Sequence, residues 1–393
     1  MSTDVVILSA VRTPLGKVRG QLAPLSAVEL GAIVIRAAVE RAGVSPDDVQ
    51  AVIMGQVLQA GSGQNPSRQA AVKAGLGWDV PSTTTNRVCL SGLSAVIDAA
   101  RVIRAGEADV VVAGGMESMT NAPHLLQGSR MGWAYGTVSA IDHAAYDGLT
   151  DAYDGLSMGA STEAHVGKLG LTRAEQDEIA AASHQRAAAA HSDGLFDEEI
   201  IPVEIVGRRG EVTIVSADEG VRADSTVDTL SKLRPAFAAQ GTITAGNSSP
   251  LSDGASALVI ASRDFAEAHG LEWLAVIGSA AQTAGPDNSL HSQPSRAINA
   301  ALAKAGWSVG DLDLVEINEA FAAVALQSSR DLGISNEIVN IHGGAIAMGH
   351  PIGASGARLV THAAHELARR GSGKAAVSLC GGGGQGDALL LSR

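Results

Sequence analysis

Two cysteines are the only thiols in the 393 residues, and each stands where a thiol could react. Cys89 falls between an extended approach, Thr83 to Val88, and a helical stripe of Leu93, Val96, Ile97 and Ala100. At a helix N-terminus a thiol meets unpaired N–H groups and the positive end of the dipole, so its pKa is expected to fall. Gly92 beside it would let backbone approach a substrate closely. The competing role is a small buried hydrophobe, the usual fate of an isolated cysteine. Cys380 closes the apolar run Ala375 to Leu379 and opens Gly381-Gly-Gly-Gly-Gln-Gly386. These glycines satisfy G-x-G-x-x-G, but a dinucleotide site needs a following helix, and Asp387 to Leu391 reads as a strand. A hairpin that lies along a bulky ligand, or offers N–H groups to an oxyanion, fits better. A purely structural hairpin is the alternative.

His350 lies within Gly343-Gly-Ala-Ile-Ala-Met-Gly-His-Pro-Ile-Gly-Ala-Ser-Gly356, a loop suited to holding an imidazole in a cleft. A Cys–His pair is what a thiol nucleophile needs. Asn318 follows the apolar strand Leu312 to Ile317, at the strand end where α/β proteins assemble ligand sites. An ordinary helix cap is its other reading. His362-Ala-Ala-His365-Glu366 has the letters of a zinc helix in the wrong order, so it reads as one face of a helix. His165, His184 and His191 read as surface or loop residues, and no metal site is expected.

The elements that would carry these groups are written twice. Val5 to Thr13 echoes Ala275 to Thr283, and the longer Arg41 to Met54 echoes Lys304 to Ile317 with one offset along its whole length. Each longer segment has a basic-Ala-Gly start, an acidic loop and an apolar strand, and each follows a helical stripe. Such alternation favours mostly parallel sheets covered by helices. From about Thr120 to Asn247 the character changes, with more His, Asp, Arg and Met and a helix over Arg173 to His191. That stretch reads as an insertion, after which Ala255 to Ile260 returns to the first half.

Composition agrees with a large folded chain. Hydrophobic residues make up 46% and charged residues 18%, which excludes intrinsic disorder. Aromatics are only 3% against 46 glycines, so the core must be built from small aliphatic side chains and close backbone. A net charge of −13 argues against nucleic-acid or membrane-surface partners. No apolar run is long enough to span a bilayer, and no basic-then-apolar leader is expected ahead of Val5. Two cysteines cannot make a disulfide scaffold, and a reduced cytoplasmic setting is expected.

Four motifs together resemble one family. Val88-Cys89-Leu90-Ser91-Gly92, Asn318-Glu319-Ala320-Phe321, Gly349-His-Pro-Ile-Gly-Ala-Ser-Gly356 and Cys380-Gly-Gly-Gly-Gly-Gln-Gly386 have the order and spacing of the thiolases. The resemblance covers essentially the whole chain and is strongest to the biosynthetic branch, the acetyl-CoA acetyltransferases. It implies a duplicated α/β fold, a five-layered αβαβα core with an inserted CoA-binding loop domain. Residues 1–119 would form the N-terminal half, 120–249 the insertion with its CoA and tetramer contacts, 250–272 the return, and 273–393 the C-terminal half.

The implied reaction is the reversible condensation of two acetyl-CoA to acetoacetyl-CoA and CoA. Cys89 would carry the acyl group, and His350 would take the Cys89 proton and later hold the thioester oxygen. Cys380 would move the α-proton, and Asn318 would hold a water. The N–H groups of Cys89 and Gly382 would form a second oxyanion hole. CoA, a substrate rather than a cofactor, would lie along Leu149, Met158, Arg222, Thr229, Phe237, Ala245, Ser249 and Phe321. A degradative 3-ketoacyl-CoA thiolase of fatty-acid β-oxidation, with the same reacting groups, is the alternative.

The resemblance further implies a homotetramer, a dimer of dimers, with Asn121 to His143 as a candidate contact. Ser157, Leu90, His342 and Leu290-His-Ser-Gln-Pro294 depart from the biosynthetic pattern. Leu90 and Met158 are expected to narrow the acyl pocket, while the small Ser157 would widen it.

Overall fold

Apolar runs in the first 118 residues become strands because both of their faces are covered. β1 (Val5–Arg12) and β5 (Val110–Ser118) are buried along their entire lengths. The computed structural model describes residues 4–393. Between these two strands run β2 (Gly16–Lys17), α1 (Ala27–Ala42), β3 (Ala51–Gly55), α2 (Pro66–Ala74), β4 (Ser82–Thr85) and α3 (Ser91–Arg104). A long excursion follows, with β6 (His124–Leu125), β7 (Ile141–Asp142), α4 (Met158–Leu169), α5 (Arg173–Ser192), β8 (Val203–Val206), β9 (Val212–Val215) and α6 (Val227–Ser231). β10 (Ser252–Ser262) then inserts between β1 and β5, antiparallel to both, and α7 (Arg263–Ala268) follows it.

The remaining residues repeat the first pattern. They form β11 (Ala275–Ala284), α8 (Gln293–Ala305), β12 (Leu314–Ile317), α9 (Ala322–Leu332), α10 (Ala345–Met348), α11 (Ser355–Arg370), β13 (Lys374–Gly381) and β14 (Gln385–Ser392). The sheet runs β12-β13-β14-β11-β1-β10-β5-β3-β4, with β2 beside β10. Where the halves meet, Val5 pairs with Ile277, Val6 with Val276 and Ile7 with Ala275. Val6 and Val276 are counterparts in the sequence echo, so this pair marks a two-fold axis between the halves. The echoed helices α1 and α8 both end on left-handed glycines, Gly43 and Gly306, each at φ 68°.

α3 and α11 lie between the halves. Leu93, Val96 and Ile97 share one buried cluster with Leu359, Val360 and Leu367, and with strand residues Val111, Leu258, Val377 and Leu389. On one outer side α1 and α2 cover the first half; on the other, α8 and α9 cover the second. The result is five layers in the order αβαβα. Each fully buried Leu, Ile or Val contributes about 1.5–3 kcal/mol, so the central pair is a main source of cohesion.

The excursion is anchored by charge. Arg12 is completely buried; its Nε donates to Glu199 at 2.6 Å, and Nη1 and Nη2 donate to Asp218 at 2.7 and 3.0 Å. His362 of α11 adds a contact to Glu199 at 2.9 Å. His191 of α5 lies 3.0 Å from Asp218, and His184 is fully buried against Arg222. Reading His184 and His191 as surface residues was therefore wrong. The polar partners that draw them inward lie in distant parts of the chain.

Candidate active site

The two central helices bring the reactive groups together. Cys89 stands just ahead of α3, and His350 just ahead of its counterpart α11. Cys380 lies near the end of β13, and all three line one cavity of about 250 Å³. Its other walls are mainly apolar, with Val88, Met119, Leu149, Met158, Leu290 and Phe321 among them.

The turn that presents Cys89 is strained and tied down. Val88 has φ 53°, a conformation that costs a β-branched residue on the order of 1–3 kcal/mol. Its N–H donates to Asn86 Oδ1 at 2.9 Å, and Ser91 Oγ donates to its carbonyl at 2.6 Å. Arg87 reaches from this turn to Asp387 of β14 at 2.5 Å, and Ser94 Oγ donates to the same carboxylate at 2.7 Å. The Cys89 turn is thereby fixed against the hairpin that holds Cys380. Within that hairpin Cys380 pairs with Gly386, and the turn uses Gly383 and Gly384 at φ 78° and 67°. A Cβ at Gly384 would sit 1.8 Å from the Asp287 carbonyl oxygen, so only glycine fits.

His350 is held from every side. Its N–H donates to Ser252 Oγ at 3.0 Å, Nδ1 lies 2.6 Å from Ser355 Oγ, and Nε2 lies 3.3 Å from Asn318 Nδ2. Asn318 is fully buried and its Oδ1 has no protein partner, consistent with an oxygen reserved for a small ligand or water. It is not a helix cap, since Phe321 caps α9. The His350 loop touches the Cys89 layer through bare backbone. A Cβ on Gly115 would lie 2.0 Å from the Gly353 carbonyl oxygen.

Glu117 locks this junction from below, and the sequence reading missed it. It is fully buried and accepts N–H bonds from Val57, Leu58 and Gly353 at 3.0, 3.1 and 2.9 Å. Burial pushes its carboxyl up to about 7 despite those bonds. Arg87 and Asp387 were missed as well. A Glu at the end of an apolar strand was the one signal available for Glu117.

The Cys89 thiol departs from the expected acidity. Burial among apolar walls pushes it up to about 12, and nearby Glu117 adds to the rise. The N–H groups of Cys89 and Gly382 bond to the sulfur and oppose this, but do not overcome it. α3 starts only at Ser91, so the thiol precedes the first turn and gains little from the dipole. Cys380 is also pushed above the ordinary thiol range, by burial and by Cys89. His350 is held down to about 3 by burial and by Arg358, so it is neutral at pH 7.

Two family models match the chain, the thiolase N-terminal domain over residues 5–264 and the thiolase C-terminal domain over 271–393. The chain belongs to the thiolase family. This thiolase is 57% identical to the probable acetyl-CoA acetyltransferase of Mycobacterium tuberculosis, covering 100% of this chain and 99% of that protein. It is 51% identical to the acetyl-CoA acetyltransferase of Cupriavidus necator over 100% of both chains. The crystal structure of the Bacillus anthracis acetyl-CoA acetyltransferase superposes with a TM-score of 0.97 at 40% identity, covering 100% of this chain and 99% of that one.

Of the residues expected along CoA, Leu149, Met158, Phe237, Ser249 and Phe321 line the cavity of this thiolase. Arg222, Thr229 and Ala245 do not. All three are exposed outside it, with Arg222 beside His184 and Thr229 in the capping box of α6. Leu90 requires a correction: it is completely buried beside Gly381, in the cluster shared by α3 and α11, and does not line the cavity. It narrows nothing. Ser157 does line the cavity and caps α4 through Ala160 N–H at 3.3 Å.

Proposed function

We propose that this thiolase is an acetyl-CoA C-acetyltransferase, joining two acetyl-CoA into acetoacetyl-CoA through an acetyl-Cys89 intermediate. The observation that carries the reading is the convergence of Cys89, His350 and Cys380 on one apolar cavity. At rest both thiols and the imidazole are neutral. Cys89 therefore gives its proton to His350 only as it attacks the thioester, when negative charge moves onto the carbonyl oxygen. In this reading the N–H groups of Cys89 and Gly382, which bond to the sulfur at rest, receive that charge, and losing one such donor typically costs about 10²–10³ in rate.

The remaining protons can be followed atom by atom. Cys380 gives its proton to the departing CoA thiolate and becomes the base for the next step. It then removes an α-proton from the second acetyl-CoA, whose enolate oxygen is held by the protonated Nε2 of His350 and a water on Asn318. The enolate carbon attacks acetyl-Cys89, a C–C bond forms, and the Cys89 thiolate leaves and recovers its proton from His350. No cofactor enters this sequence. Intact-protein mass spectrometry after mixing with acetyl-CoA tests it, through an acetyl adduct on Cys89.

The chain-length preference is for acetyl-CoA and acetoacetyl-CoA over long acyl chains. With Leu90 turned away, this rests on the apolar packing on the Cys89 side of the cavity. There Met119 and Ile352 pack with Val57, Leu58 and Ala144 against the Cys89 side. Each methylene that a pocket admits is worth about 1 kcal/mol, and side chains packed where a longer chain would run withhold it. Thiolysis of acetoacetyl-CoA is expected to exceed that of 3-ketohexadecanoyl-CoA in kcat/KM by at least about tenfold; the reverse order would favour the degradative alternative. The names of the relatives do not favour that alternative.

A homotetramer in the cytoplasm completes the proposal. Its support is the segment from β6 to β7, which exposes Leu126, Met131, Trp133 and Tyr135, an apolar set that a partner copy would cover. No helix among the described residues is long and apolar enough to cross a membrane. Light scattering should give four times the chain mass; a monomer would refute the assembly. A place in fatty-acid metabolism follows only if the degradative alternative holds.

A further inference from the structure

We propose that Ser355 is a positioning residue that fixes the tautomer of His350, keeping the proton on Nδ1 and leaving Nε2 unprotonated, the form in which it can act as the base. The inference rests on the acyl-transfer reading above and deepens it. Ser355 is the first residue of α11 and is 2% exposed. Its Oγ stands between two groups, His350 Nδ1 at 2.6 Å and the Pro351 carbonyl oxygen at 3.0 Å.

A carbonyl oxygen can only accept, so the contact to Pro351 uses the one hydroxyl hydrogen of Ser355. The lone pairs of Oγ then face the imidazole and call for an N–H at Nδ1. The other edge of the ring gives the same answer. Asn318 Nδ2 lies 3.3 Å from Nε2, and an amide N–H can only donate, so Nε2 must be the acceptor. Two neighbours on opposite sides of the ring thus select one tautomer. The backbone bond to Ser252 leaves the loop little freedom to choose another.

This arrangement suits a proton that must come back. When Nε2 takes the Cys89 proton, the imidazolium meets a neutral hydroxyl at Nδ1 rather than a carboxylate. The charged group acting on it is Arg358, which opposes the imidazolium. A buried carboxylate at Nδ1 would hold the proton on the ring. Ser355 orients the imidazole without trapping the proton needed by Cys89 in the last step.

Nitrogen NMR of histidine-labelled enzyme, without substrate, reads the tautomer directly. The wild-type His350 is expected to show a protonated Nδ1 and an unprotonated Nε2; the opposite pattern overturns the proposal. Ser355→Ala is expected to lower kcat roughly 10- to 100-fold while KM for acetyl-CoA stays within about twofold. It should also raise the share of the Nε2-protonated tautomer, since Asn318 alone then selects against it, and slow the alkylation of Cys89 by iodoacetamide. Ser355→Thr, which keeps the hydroxyl, should recover most of the rate. An Ala variant with wild-type alkylation and kcat would also overturn the proposal. Failure of wild-type Cys89 to accept an acetyl group would refute the reaction itself, a result distinct from any of these.

Discussion

Cys89→Ala should take up no acetyl group from acetyl-CoA and lose at least about 10⁴ in kcat, because the one other thiol of the cavity, Cys380, serves as acid and base and not as the acyl carrier. Cys380→Ser should behave differently. It retains Cys89 and the N–H groups that bond to it, so its mass should still rise by one acetyl group on mixing. Condensation should nevertheless fall by about 10³ or more, since a serine hydroxyl is a far poorer base for an α-proton. Peptide mapping locates the adduct, and steady-state rates measure the loss. Acetylation at Cys380 in the Cys89→Ala variant would reverse the two roles. Arg87 and Asp387 make the comparison clean, because they hold the two cysteine turns in register whichever thiol is altered.

Arg12→Met should reduce stability by about 3–5 kcal/mol, since it leaves two buried carboxylates without their counter-charge. Arg12→Lys should fall between, keeping the charge but losing the fork that spans Glu199 and Asp218. Urea unfolding at neutral pH measures both. The pH dependence follows from the direction of the carboxylate shifts. Arg12 holds Glu199 and Asp218 below the ordinary range, Asp218 down to about 2. Unfolding raises their pKa, so the unfolded chain binds more protons in acid. Their stabilisation is complete above about pH 5 and is lost progressively as the pH falls through 2, the Glu199 share last. The wild type should lose stability across that window more steeply than Arg12→Met. Parallel slopes would show that the network does not couple to the carboxylates in this way.

Much of the fold could be read because its signals are local. The echo between Val5 and Ala275 needed only short apolar runs, and it foretold the strands. The expectation of mostly parallel sheets was wrong, because β10 and β14 return antiparallel beside their neighbours and β1 meets β11 antiparallel where the halves join. Cys89, His350 and Cys380 stood out because glycine-rich turns cluster around them, and the close approaches at Gly115 and Gly384 explain why such turns are needed. What escaped was long-range. Arg87 meets Asp387 across 300 positions, and Glu117 meets Gly353 across 236, separations at which no spacing rule applies. Leu90 was misjudged because a residue next to a nucleophile can face the cavity or the core, and only the path of the strained Val88 turn decides. The acidity of Cys89 failed for a related reason: proximity to a helix was legible, whereas the depth of apolar cover was not.

The position of β10 has a consequence for how the chain is made. It lies between β1 and β5, yet it is synthesised well after both. A nascent chain that has just released β5 therefore carries two bare strand edges, flanking a gap that nothing yet translated can fill. At about 5–20 residues per second, roughly 7 to 30 seconds pass before β10 emerges. Through that interval the ribosome holds an unfinished sheet whose β1 and β5 edges could be captured by a neighbouring nascent chain on the same message. Slow codons within the excursion would lengthen the exposure, and chaperones that shield strand edges would shorten its effect. Ordering of the first half should therefore begin as Ser262 clears the exit tunnel.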